Sequence, residues 1–203
     1  MKSLSSPVLW PSQLTPSSEV PAINDLTANL QGVVFNVEAW ASALRLYDFT
    51  TGAAEIGGRD ARTWKFIAAH ECVLQLHHLR VRMENIGGLK LKKCASLMDS
   101  FDADRMRAAR KALDQHFPHI DMLRHAIAHT GLTETDPQGH VPDGPYGMVG
   151  FSEPRNFSAP YRGSVRFLNI TAESLERITE VAAHFLSAFV AAAERLEREG
   201  HVD

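Results

Sequence analysis

The chain has 203 residues, 44% hydrophobic and 22% charged, with a formal net charge of −3. That length suits one domain with a real core, and the slightly acidic balance argues against a sequence-blind nucleic-acid binder held by global charge, though not against an enzyme that meets RNA through a local basic patch. Cys72 and Cys94 are the only cysteines and form no paired motif, and no apolar run nears the roughly 20 residues of a membrane span, so disulfides, a Cys-based zinc site and a membrane partner are not expected, and a reducing cytoplasm is.

Residues 1–22 are rich in Ser and Pro and read as a disordered or extended leader, with Trp10 the residue best suited to dock on the body. Residues 23–199 read as a single helical domain. Asn24-Asp25 is a candidate cap for the first helix. Leu26, Leu30, Val33, Val37, Trp40, Leu44 and Tyr47 follow at alternating steps of four and three, an amphipathic stripe running to about Phe49. Gly32 lies inside it and weakens it.

A second helix is expected from about Asp60 to Asn85, with Trp64, Ile67, Ala68, Cys72, Leu76, Leu79, Met83 and Ile86 on its apolar face and Gly87-Gly88 at its end. His70-Glu71 begins like a zinc-protease motif, but position 74 is Leu rather than the second His. Lys90, Lys92 and Lys93 form a short basic run, read first as a solvated segment and second as a phosphate-contacting patch. Asp102 or Asp104 opens the next helix, with Met106, Ala109, Leu113 and Phe117 inward and Arg105, Arg107, Arg110 and Lys111 mostly outward, and Pro118 stops it.

From His119 to about Thr130 runs a short helix with Ile120, Leu123 and Ile127 as its apolar stripe and Gly131 as its stop. An insertion of about residues 132–170 follows. It holds a Gly- and Pro-rich loop and two strand-like runs, Gly147–Phe151 and Ser164–Asn169, joined by a stretch with Pro154, Pro160 and Gly163 that is long for a tight hairpin, and is read as a small β-hairpin-like flap. Thr171 is a good N-cap for a last helix that buries Leu175, Ile178, Ala182, Phe185, Phe189 and Leu196 and runs to about Glu199. The expected fold is all-α: an up-and-down bundle of about four long helices, with short helices and the hairpin-like insertion.

The stretch that stands out chemically is Leu123-Arg124-His125-Ala126-Ile127-Ala128-His129, because an arginine and two histidines are costly in an otherwise apolar turn. Metal-free RNA cleavage needs a base for the 2′-hydroxyl, an acid for the departing 5′-oxygen and a fixed cation for the phosphorane. Histidine suits the first two roles and arginine the third. Arg124 and His129 are five residues apart, about 140° of helical rotation, so a straight helix cannot bring them together. They would meet only at a frayed helix end, near Thr130-Gly131, or across a two-fold axis between two copies.

The run Arg124-His125-Ala126-Ile127-Ala128-His129 resembles the signature of the HEPN superfamily, an Arg and a His separated by four to six residues near the start of a helix. The resemblance is close over about nine residues and architectural over the rest. It implies an all-α homodimer with a metal-independent endoribonuclease site that cleaves RNA by 2′-hydroxyl attack. Arg124 and His129 would be catalytic and His125 auxiliary, with no cofactor. It also implies a role as a toxin or defence effector, with an antitoxin or regulatory protein as partner. Some members bind without cleaving, so a non-catalytic dimeric interaction protein is the alternative, with Arg124 tied to an acid such as Asp121. A third reading places a metal on Asp121, His125 and His129, at steps of four, completed by His70, His77 or His78.

Overall fold

A computed structural model describes residues 4–54, 59–128, 150–153, 155–161 and 164–200. Its helices are α1 (Val20–Ala54), α2 (Arg59–Asn85), α3 (Ala103–His116), α4 (Ile120–Ala128), α5 (Ala172–Ser187) and α6 (Val190–Gly200), with short π- and 3₁₀-helical turns between Ile86 and Ser100. The strands are β1 (Gly150–Glu153), β2 (Asn156–Tyr161) and β3 (Ser164–Asn169). The fold is all-α with a small antiparallel sheet, as the periodicity implies. The chain divides into two compact units, one of residues 1–37, 78–116 and 177–203, the other of residues 38–77 and 117–176.

In the first unit, Leu26, Leu30, Val33 and Val37 of α1 are buried as their spacing predicts. Helix α1 starts at Val20, earlier than the Asn24-Asp25 cap, which lies inside the helix; the Ile23 amide already donates to the Glu19 carbonyl. The Glu19 carboxylate instead accepts from the Ser96 amide and hydroxyl. Leu9 rather than Trp10 docks: Leu9 is fully buried, its amide and carbonyl both bonded to the Thr27 hydroxyl, whereas Trp10 is 73% exposed.

Asp102 is the cap of α3, its carboxylate accepting from the Arg105 amide at 2.9 Å. Met106, Ala109 and Leu113 face inward as expected. Gly87 and Gly88 do not end α2 in a left-handed cap; they sit in a π-helical turn from Ile86 to Lys90 that widens the helix before a 3₁₀ turn. The last helix is interrupted at Ala188-Phe189, where the Asp102 amide bonds the Ala188 carbonyl and Phe189 stacks against Phe101 and Phe185. The break lets one apolar stripe continue as two helices.

In the second unit, Trp40, Leu44 and Tyr47 of α1 and Ala68, Cys72 and Leu76 of α2 are buried, but Trp64 and Ile67 are exposed, contrary to the apolar face expected of α2. The sheet has order β1-β2-β3, with β2 pairing both neighbours antiparallel and Phe157 opposite Leu168. Strand β3 matches its predicted run, whereas β1 overlaps the other run only at Gly150 and Phe151, residues 147–149 lying outside the described residues. The middle strand occupies the stretch that Pro154, Pro160 and Gly163 made look like a connection, since Pro is rare inside sheets. Pro160 stands one residue from the end of β2, and Phe157, Ser158 and Ala159 are buried in succession, as in a strand covered on both faces. The Thr171 hydroxyl caps α5 by accepting from the Ser174 amide.

Candidate functional site

Helix α4 carries the Arg-His motif, and its local structure follows from its sequence. Pro118 cannot continue α3, so the chain turns through Pro118-His119, and the Leu123 amide takes the His119 carbonyl to begin the new helix. Asp121 in the first turn favours the positive end of the helix. Ile120 and Leu123 are 2% and 1% exposed, and α4 packs against β2 and β3; Ile127 is only half-buried.

That seating sets the rest of the helix. Arg124, one residue past Leu123, is exposed and makes no ion pair with any described residue. Asp121, the acid offered for it by the interaction-protein reading, is engaged elsewhere: its Oδ1 lies 3.0 Å from Nδ1 of His77 on α2. His125 is half-buried, and its ring meets Tyr161 of β2 edge-to-face at 5.4 Å, with planes at 89°. The sequence joined His77 to Asp121 only as one of three optional metal ligands and gave no sign of His125–Tyr161, because the two pairs join positions 44 and 36 residues apart. His129, Thr130 and Gly131 lie outside the described residues.

The sheet that supports α4 rests on an aromatic cluster. Phe66 stacks at 4.2 Å on His70 and meets Phe151 and Phe157 at 6.3 and 5.9 Å, and His70 also meets Phe157 edge-on at 5.6 Å. Nε2 of His70 is buried with no hydrogen-bond partner among the described residues, and desolvation holds the ring below its ordinary pKa. His70 is therefore a packed, neutral side chain in this unit. Burial likewise pushes the Tyr47 phenol up to about 12, with the Lys65 ammonium over its ring at 5.1 Å. Arg155, just before β2, pairs with Asp48 of α1 at 2.7 Å.

Among the described residues, no three His, Cys, Asp or Glu side chains converge as a metal site would require. His125 and Asp121 share a helix side, but Asp121 turns to His77. Chemically, α4 presents a permanent cation flanked by an imidazole that is half open to solvent. That combination can bind a phosphate and exchange a proton beside it. No family model matches the sequence, and no curated protein or solved structure matches it either. Among the described residues, no helix is long and apolar enough to cross a membrane.

Proposed function

We propose that this protein is a HEPN-like, metal-independent endoribonuclease whose site is built on α4. The observation that carries the reading is the exposed Arg124, which has no ion-pair partner among the described residues and lies one residue before His125 and five before His129. A guanidinium left open on a sheet-backed helix supports this reading, because it can receive phosphate oxygens. In the reaction, the 2′-oxygen attacks the adjacent phosphorus and the bond to the 5′-oxygen breaks. A base, His129 in one copy, takes the 2′-hydroxyl proton. An acid, the second His129 of a homodimer, supplies a proton to the leaving 5′-oxygen, giving a 2′,3′-cyclic phosphate and a 5′-hydroxyl. Arg124 stabilises the phosphorane, and His125, braced by Tyr161, orients the substrate.

A homodimer resolves the 140° offset between Arg124 and His129 by letting each residue work with its partner's counterpart. The second unit exposes Leu46, Phe49, Trp64 and Ile67, apolar surface of the kind that subunit contacts use. An intracellular nuclease of this kind fits a toxin or defence role under control of an antitoxin or other regulatory protein.

Purified protein incubated with total RNA in EDTA is expected to generate fragments with 2′,3′-cyclic phosphate ends, and His129→Ala is expected to abolish them with the helical circular dichroism unchanged. Wild-type protein that stays inert on structured and single-stranded RNAs sinks the nuclease reading in favour of a non-catalytic dimeric binding protein.

A further inference from the structure

In the first unit, α3 carries Arg107, Arg110 and Lys111 on one side, at steps of three and four from Arg107. Like charges at that spacing weaken a helix unless something opposes them. Arg80 and Glu84 of α2 face this row, and with Asp114 they line a cavity of about 350 Å³. Four cations against two carboxylates leave the cavity with a positive surplus in a chain whose net charge is −3.

The carboxylates do not neutralise the row on α3. Nε of Arg80 lies 3.3 Å from Glu84 and 3.1 Å from Asp114, so both cavity acids are engaged with the arginine of α2. Arg107 pairs with Asp104, which is 90% exposed and therefore weakly held. Arg110 and Lys111 make no ion pair with any described residue, and the buried Nε of Arg110 has no hydrogen-bond partner among them. Gly87 makes room for that guanidinium: a Cβ there would stand 3.0 Å from Nη1 of Arg110. The π-helical turn that begins beside Gly87 leads to Lys92 and Lys93, both exposed.

We propose that this cavity binds the phosphates of a single-stranded nucleic-acid backbone, at a site none of whose residues belongs to α4. Arg110 and Lys111 take one phosphate with charge-assisted hydrogen bonds, while Arg107 is available to the next. A row of cations spread along a helical turn suits a chain of phosphates better than one isolated anion. Binding here stands whether or not the protein cleaves RNA.

The test uses a fluorescein-labelled 2′-O-methyl oligonucleotide, which has no 2′-hydroxyl to attack, and follows anisotropy in the Arg124→Ala background, which removes the arginine of α4. The parent is expected to bind at low salt. Arg110→Gln, and separately the double variant Arg107→Ala/Lys111→Ala, should each weaken binding about tenfold. The salt slope should fall by about 0.7 for each phosphate contact removed. Arg107 and Lys111 are exposed, so the double variant keeps the fold, which circular dichroism verifies. Absence of binding, or an affinity and salt slope unchanged in the double variant, overturns the proposal. So does binding of a labelled polyphosphate without any binding of the oligonucleotide.

Discussion

Leu123 and Arg124 are neighbours on α4 with opposite surroundings, and that contrast separates chemistry from folding. Leu123 is 1% exposed against the sheet, so Leu123→Ala removes buried methyl groups and opens a cavity. Such a change costs about 2–5 kcal/mol, which lowers Tm by roughly 5–15 °C for a chain of this size. Arg124 is exposed and has no ion pair to lose among the described residues, so Arg124→Ala should shift stability by less than about 0.5 kcal/mol and Tm by under about 2 °C. If its guanidinium stabilises the phosphorane, the same substitution should cut kcat/KM by about 100- to 1,000-fold, the loss seen when one such donor is removed. The assay pairs thermal melts with cleavage of a fluorogenic RNA in EDTA at a temperature where both variants are folded. There Leu123→Ala should retain near wild-type activity. An Arg124→Ala protein that keeps more than about a third of the activity refutes the assignment, and one that melts as low as Leu123→Ala refutes the structural reasoning.

Two further predictions rest on the packing. An alanine Cβ at Gly32 would fall 2.4 Å from the Arg82 guanidinium, forcing it off Asn29 and the buried Asn36, whose side-chain oxygens it holds at 3.2 Å. The helix-propensity gain of about 1 kcal/mol is smaller than the loss of two charge-assisted bonds, so Gly32→Ala should be destabilised by about 1–3 kcal/mol in urea melts, and a stabilised variant would show that Arg82 contributes little. His70 has a folded pKa below its ordinary value of about 6.5. As pH falls through that value the unfolded chain takes up a proton that the folded protein refuses, so stability is complete above about pH 6.5 and declines until the folded pKa is passed. His70→Phe keeps the ring contacts and removes the titration, so its Tm advantage over wild type should be larger at pH 5 than at pH 7.5. An equal advantage at both pH values would mean that His70 does not carry this acid sensitivity.

Much of the fold was legible because helices announce themselves through period. The stripe from Leu26 to Tyr47, the inward Met106, Ala109 and Leu113 of α3, and the Thr171 cap are all buried or bonded as spacing requires. The misreadings arose where local chemistry and tertiary need diverged. Pro154 and Pro160 argued for a loop, yet β2 forms because α4 and its strand partners cover it. Trp64 and Ile67 fit the helical stripe, yet they lie at its exposed margin, because period gives a direction and not the extent of what packs there.

For the candidate site, the sequence by itself determined the residue types and their order: Arg124, His125 and His129 on one short segment between Pro118 and Gly131. The 140° offset that a straight helix would impose on Arg124 and a residue five positions on also follows from sequence, since it needs only the helical repeat. Tertiary structure alone decided which of these groups are engaged. It turned Asp121 to His77 and set His125 against Tyr161, leaving Arg124 open to solvent. It also gave Gly32, inside α1, and Gly87, just past α2, a reason, since each leaves space for an arginine from another helix. Contacts between residues tens of positions apart depend on how helices pack, and a local sequence pattern holds no record of that.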